Sequence, residues 1–392
     1  MTGNSPHGGP LAGIRVLDLG HAGVGPFAAG ILAQLGADVI KCEPPWGDII
    51  NKSAGGSTGG KPSPLYIAAN VGKRGIHLNM KEQRDHAIFF KLVATADVYL
   101  DNLRADAADR LGIGYEVLSK INPALVFVNS SGFGAKGPLR EMGSFEQYSD
   151  AFAAVSSATG EDGGRPERPP GLRIDPYTGC CLANMVLAGL LHRELTGRGQ
   201  KIVGSQFESA LQLSMLRAVE LNAGVQTRPM GTSHPHIAPS GAFKTADGWV
   251  VVTAETERQW RNLCIAIDRL AMMRDPRFET NARRLENRKA LEGELAPWFT
   301  ARTSGVCIGL LQSRKVPAGE FQMPVQHHDD PQIAAKSMLR RIETHWGPVY
   351  TPMTTARFSV TPAVQGAAMS AGQHTAEVLR ELGMEPGPEA SP

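Results

Sequence analysis

Ile14-Arg-Val-Leu-Asp-Leu19, Gly20-His-Ala-Gly-Val-Gly25, Pro26, Phe27-Ala-Ala-Gly-Ile-Leu-Ala-Gln-Leu35, Gly36, Ala37-Asp-Val-Ile-Lys-Cys-Glu43 is the stretch on which the fold turns. Its first segment alternates and reads as a buried strand. Pro26 suits the first turn of a helix, where its missing N–H leaves nothing unsatisfied. Gly36 suits the left-handed turn that ends one. The last segment reads as a second strand, so the stretch predicts a βαβ unit, which implies a parallel sheet with a right-handed crossover. Further strands are predicted at Ile76-His-Leu-Asn79, Ala96-Asp-Val-Tyr-Leu100 and Leu125-Val-Phe-Val-Asn129, with helices over residues 81–94 and 115–121. This alternation predicts an α/β fold, a Rossmann-like open parallel sheet in a large domain.

Downstream, residues 179–194 read as an apolar helix closed by Thr196-Gly-Arg-Gly199, and residues 204–225 as a second long helix. Residues 241–252 read as a hairpin turning at Asp247-Gly248, followed by helical material to about residue 325. Residues 227–240 are rich in Pro, His and Gly, which places a domain junction near residue 225. The expected organisation is a large domain over 1–225, a smaller α+β domain over 226–330 and a C-terminal segment over 331–392. That segment carries a short amphipathic helix over 375–382 before a Pro/Gly tail.

Composition narrows the function class. Of 392 residues, 40 are Lys or Arg and 38 are Asp or Glu, a net charge of +2 that gives no footprint for nucleic acid or an anionic membrane. At 42% hydrophobic and 20% charged, the chain can bury a sizeable core. No apolar run approaches the ~20 residues of a bilayer span, so no membrane partner is expected. The first ten residues are polar, without the apolar stretch of a secretory signal. Five cysteines form no Cys-x-x-Cys pair, which fits a reducing, cytoplasmic setting. A soluble enzyme is the leading class.

Each chemical motif also has a bland reading. Gly23-x-Gly25-x-x-Ala28, between strand and helix, suits a pyrophosphate, and Glu43 lies where a ribose hydroxyl would be held. The same turn also serves merely to pack helix on strand. Asp175, just before an apolar helix, reads as an ordinary N-cap or as a nucleophile steadied by helix amides. His234, His236, His327, His328, Asp329 and Asp330 lie in loops without metal-ligand spacing, so no metal site is expected. Cys180 and Cys181 read as helix core. Lys73, Arg74 and Lys136 read as phosphate ligands or as surface charge.

A larger set of segments runs in order along the chain. It comprises Pro10-Leu-Ala-Gly-Ile-Arg-Val-Leu-Asp18, Gly25-Pro26, Leu35-Gly-Ala-Asp-Val-Ile-Lys41, Gly47-Asp48, Lys73-Arg74, Asp101-Asn-Leu-Arg104, Leu111-Gly112 and Asn122-Pro123. It continues with Ser131-Gly-Phe-Gly-x-x-Gly-Pro138, Asp175-x-x-x-Gly179, Thr196-Gly-Arg-Gly-Gln200 and Asp330-Pro-Gln332. As an ordered set these resemble the family III CoA-transferases, the group of formyl-CoA and carnitine CoA-transferases. The resemblance implies a homodimer of two interlocked rings, with the C-terminal segment returning to the large domain. It makes Asp175 the catalytic carboxylate. Asp175 would attack an acyl-CoA thioester to give a mixed anhydride, then carry CoA as an aspartyl thioester, then pass it to an acceptor acid. Glu146 matches a glutamate that positions or protects these intermediates.

The resemblance assigns CoA contacts to His21, Ala22, Lys73, Asn102, Leu103 and Arg110. It requires acyl-CoA and a carboxylic acid as partners, and no cofactor beyond the CoA thioester itself. Two departures, Gly23 where formyl-CoA transferases carry Gln and Pro235-His-Ile-Ala-Pro-Ser-Gly241 in place of a glycine run, point to an acceptor larger than formate or oxalate. Two alternatives stand beside this reading. One is an α-methylacyl-CoA racemase, whose Gly-His-Asp-x-x-Tyr motif here reads Gly143-Ser-Phe-Glu-Gln-Tyr148 without the histidine. The other is one subunit of a hetero-oligomeric transferase.

Overall fold

The computed structural model describes residues 8–51, 62–224, 228–344, 346–352, 354–364 and 366–386. The chain divides into two compact units. One comprises Met1–Val155, Pro170–Val225 and Ser337–Pro392, the other Ser156–Pro169 and Gln226–Lys336. Residues 156–169, expected in the large domain, belong to the second unit, where the Gly231 amide donates to the Gly160 carbonyl at 2.7 Å. The junction expected near residue 225 falls at 225–227, outside the described residues, as do 387–392 of the tail.

The first unit is built on six parallel strands: β1 (Arg15–Asp18), β2 (Asp38–Glu43), β3 (Arg74–His77), β4 (Val98–Asp101), β5 (Val126–Ser131) and β6 (Lys201–Ser205). Their spatial order is β3-β2-β1-β4-β5-β6. Around them run α1 (Val24–Gln34), α2 (Pro64–Asn70), α3 (Gln83–Thr95), α4 (Ala107–Arg110), α5 (Tyr115–Ile121), α6 (Glu146–Phe152), α7 (Ile174–Thr196), α8 (Gln206–Leu213) and α9 (Met215–Asn222). Side chains alternate across a strand, so each face gets its own core. Leu17, Ile40, Ile76, Tyr99 and Phe127 pack one face against Phe89 and Leu92 of α3. Val16, Val39, Val98, Val126 and Val128 pack the other against Leu32 of α1 and Leu182 and Val186 of α7. Burial on both faces explains the unbroken apolar runs Val16-Leu17, Val98-Tyr-Leu100 and Val126-Phe-Val128 in the middle of the sheet.

Three expectations fail here. The helix expected over 204–225 is a strand and two helices: β6 adds a sixth strand, Ser205 caps α8 by accepting the Glu208 amide at 3.0 Å, and Ser214 separates α8 from α9. The expectation that no apolar run nears membrane length is also corrected. The α7 helix spans 23 residues and is long and apolar enough by composition to cross a bilayer. Its apolarity has another cause, since Leu182, Ala183, Val186 and Leu190 are buried in the sheet core. That same phase turns Cys180 outward and leaves Cys181 half-buried, so neither is core.

The second unit holds an antiparallel sheet of β7 (Ser240–Lys244), β8 (Trp249–Thr253) and β9 (Ala318–Glu320), in that order. The β7–β8 hairpin closes with the Thr245 amide on the Gly248 carbonyl at 2.9 Å. Helices α10 (Glu257–Ala266), α11 (Asn281–Glu286), α12 (Arg288–Thr300), α13 (Ser304–Ser313) and α14 (Pro331–Ala335) complete it. Its core gathers Phe243, Val250, Trp260, Leu263, Phe278, Leu295 and Phe299.

Residues 337–392 belong to the first unit. They form an antiparallel ribbon, β10 (Leu339–Ile342) with β11 (Val349–Pro352), and the helix α15 (Thr375–Glu381). Val378 and Leu379 of α15 enter the same core as Leu17, and the His374 amide donates to the Gly75 carbonyl on β3 at 2.8 Å. Arg74 pairs with Asp38, Glu377 and Glu381 across this junction.

Candidate active site

The chain leaves β1 toward β2 and β3, then returns to start β4 on the other side of β1. In open α/β sheets the crevice beyond the carboxyl ends of strands at such a reversal is where ligands bind. A cleft of about 620 Å³ lies there, lined by His21, Ala22 and Gly23 after β1, Asn102, Leu103 and Arg104 after β4, Ser130 and Ser131 of β5, and Ser144, Glu146, Asp175 and Gln206.

Asp175 is the second residue of α7, behind Arg173 at the cap position. The N-cap reading of Asp175 is therefore incorrect, since Asp175 lies two residues past the cap position and Arg173 there makes no side-chain cap bond. Glu146, buried at the start of α6, accepts from the Arg173, Ile174 and Asp175 amides through Oε2 at 2.9, 3.0 and 3.0 Å. These are the amides a helix start leaves without intrahelical partners. Glu146 thus fixes the first turn of α7 and with it the Asp175 backbone.

The Asp175 carboxylate is held at both oxygens' surroundings. Oδ1 accepts from Gln206 Nε2. Oδ2 lies against Gly23, where a Cβ would fall 2.0 Å from it. Gly23 is needed for that approach, since its backbone, at φ −113°, suits any residue.

The turn between β1 and α1 is fixed from below. Asn102 accepts from the His21 amide at 2.7 Å and donates to the His21 carbonyl at 2.8 Å. Ala22 stands in the left-handed region at φ 58°, held by its amide's bond to Asp48 at 3.0 Å. Lys41, fully buried, joins Asp48 at 3.2 Å and also donates to the Gly20 carbonyl. Burial and the Lys41 charge hold the His21 imidazole below its ordinary range. The Leu103 amide donates to Asp101 at 2.9 Å, and burial pushes that carboxyl up to about 6.

A second, mainly apolar hollow of about 260 Å³ adjoins the cleft through His21, Pro44, Trp46 and Leu103. Leu19, Cys42, Leu78 and Leu111 line it, with exposed Lys81 at its wall. Arg110 is exposed at the end of α4, one residue before Leu111.

Lys73 is placed elsewhere, which corrects its assignment as a phosphate ligand. Its ammonium is buried under α1, donating to Asp18 at 2.7 Å, to the Pro26 carbonyl at 2.8 Å and to Asn70 at 2.8 Å. Burial lowers it to about 8 against the pull of Asp18. The dinucleotide reading loses its anchor in the same way. Glu43 is buried, accepts from the Tyr66 hydroxyl at 2.8 Å and is raised by burial, so it offers nothing to a ribose. Elsewhere, Asp330 caps α14, accepting the Gln332 and Ile333 amides at 2.8 and 2.9 Å. The His234 and His236 rings stand 6.0 Å apart. Among the described residues, no three His, Cys, Asp or Glu side chains gather as a metal site.

Of the residues expected at the site, His21, Ala22, Asn102, Leu103, Glu146 and Asp175 therefore share one cleft, and Lys73 and Arg110 do not. Residues 11–375 match the sequence profile of CoA-transferase family III. The chain belongs to CoA-transferase family III. It is 32% identical over 391 residues to the succinyl-CoA:mesaconate CoA-transferase of Haloarcula marismortui, covering 97% of this chain and 98% of the relative. It is 31% identical over 390 residues to the succinate–glutarate CoA-transferase of Agrobacterium fabrum, covering 95% and 96%. Among solved structures, a CAIB/BAIF family protein from Brucella suis is similar with a TM-score of 0.87 and 29% identity, covering 96% of this chain and 100% of that one. The family III chain is an enzyme that moves CoA between an acyl-CoA and a carboxylic acid.

Proposed function

We propose that the protein transfers CoA through two covalent states of Asp175, a mixed anhydride and an aspartyl-CoA thioester. The observation that carries this reading is the Asp175 carboxylate on the wall of the cleft, its backbone fixed by Glu146. A carboxylate suits the task because each acyl exchange is between groups of similar energy, so the sequence of steps needs no resident cofactor. CoA lies with its pantetheine along His21, Ala22, Asn102 and Leu103 and its adenine in the apolar hollow. Lys81 at the hollow's wall and Arg110 beside Leu111, both exposed, meet the phosphates.

The acceptor is a dicarboxylic acid. Support comes from the mesaconate and glutarate in the relatives' names and from two guanidinium groups on the cleft wall, Arg104 and Arg140. Such groups match a second carboxylate by paired hydrogen bonds. The working form is a dimer, a reading supported by exposed apolar side chains on α7 and α9, among them Leu195, Leu216 and Leu221.

The test is a panel of acyl-CoA donors against mono- and dicarboxylic acids, with CoA transfer read by mass spectrometry. Hydroxylamine added with donor should inactivate the wild type and modify Asp175. Asp175→Ala should abolish transfer and remain folded. Turnover by that variant, or exchange of the donor's α-proton without transfer, would overturn the assignment.

A further inference from the structure

Gln206 opens α8 directly after β6 and is buried, with its amide beside Asp175. A carboxylate only accepts hydrogen bonds, so the amide must turn its NH₂ toward Oδ1. The amide oxygen is then left for the Ser144 and Ser149 hydroxyls, which donate to it at 2.8 and 2.9 Å. Both serines thereby lock the amide in the orientation that gives Asp175 a donor. The other oxygen, Oδ2, faces Gly23 on the cleft wall. The two oxygens of one carboxylate thus have different surroundings.

We propose that Gln206 is a catalytic residue that makes these oxygens chemically distinct: Oδ2 is the nucleophile and Oδ1 is the oxygen that bears the charge. The inference rests on the covalent reading above. In the first step Oδ2 bonds to the donor's acyl carbon, and the carbon–sulfur bond breaks with its electron pair leaving on CoA as thiolate. The thiolate then bonds to Cγ of Asp175. The negative charge of that tetrahedral adduct falls on Oδ1, where the Gln206 N–H already points, and a donor placed there in advance is the largest single aid such a step receives. Collapse breaks the Cγ–Oδ2 bond, so the donor acid leaves carrying Oδ2 with it.

The acceptor carboxylate next attacks Cγ, again placing charge on Oδ1, and expels the thiolate. The thiolate bonds to the acceptor's acyl carbon and breaks that carbon's bond to the bridging oxygen, which stays on Asp175. Every electron pair is accounted for, with no proton or redox partner. Each turnover therefore replaces the oxygen at Oδ2 by one from the acceptor and leaves Oδ1 in place.

Isotope labelling reads this directly. The acceptor that turns over in the panel is supplied with oxygen-18 in its carboxyl groups, and the Asp175 peptide is weighed after many turnovers. The expected result is one heavy oxygen in the wild type and two in Gln206→Leu, whose kcat should fall on the order of 10²-fold or more with KM little changed. Gln206→Glu, the same shape but a donor only when protonated, should gain activity as the pH falls. Two heavy oxygens in the wild type, Gln206→Leu turning over at the wild-type rate, or Gln206→Glu without acid-side recovery would each overturn the proposal. No heavy oxygen at all in the wild type would instead remove the covalent aspartyl reading on which it rests.

Discussion

Asp175 and Gly23 are matched to each other: one presents a carboxylate, the other withholds a side chain. Gly23→Ala meets no backbone obstacle but pushes Oδ2 aside, and small displacements of a reacting group cost up to 10²-fold. The variant should therefore lose at least about tenfold in kcat; wild-type turnover would contradict the geometry. Lys73 gives the opposite case. Lys73→Met strands Asp18 beside Lys41 and should cost about 3–5 kcal/mol in urea denaturation, with CoA affinity nearly unchanged. Loss of affinity at full stability would restore its phosphate role. Asp175 and Glu146 were legible because motif residues mark them, whereas Lys73 misled because a lysine after a turn looks the same whether strand and helix cover it or not. Gln206 carried no signal, since it meets Asp175 only where β6 delivers a residue 31 positions away.

At the scale of elements, the first turn of α7 is the piece that matters. Glu146→Ala should leave three amides without their acceptor, costing about 0.5–2 kcal/mol of stability and lowering kcat through a loosened Asp175. Glu146→Gln keeps an acceptor oxygen in place, so it should recover most of the stability in the same denaturation assay. Stability unchanged in Glu146→Ala would mean the cap does not fix the helix. In the first unit the legible strands lie in the sheet's covered interior, where burial on both faces forces apolar residues at successive positions, and in the second unit β7 and β8 were legible from the Asp247-Gly248 turn between them. The missed β6 is an edge strand of five residues with half-exposed sides, and β9 has three, too few for a period to register.

Over the whole molecule, the pH dependence of folding should carry the mark of Asp101. Its folded-state pKa of about 6 lies above the ordinary 3.8, so the folded form binds the extra proton between those values. Its contribution to stability therefore grows as pH falls from above 6 toward 4. Asp101→Asn should abolish that slope and raise stability at pH 7.5 by on the order of 1–3 kcal/mol in urea unfolding; an unchanged slope would show that another group sets it. The division into two units was legible only in outline, because the return of residues 156–169 to the second unit is a pairing between distant loops. The docking of α15 has a consequence for how the protein is made. Val378 and Leu379 fill a core whose other members, such as Leu17 and Ile40, are synthesised first. That core stays open on the ribosome until Val378 and Leu379 have emerged, so the early-made strands await a helix made long after them, and a nascent chain halted before it exposes an unfinished apolar face to chaperones.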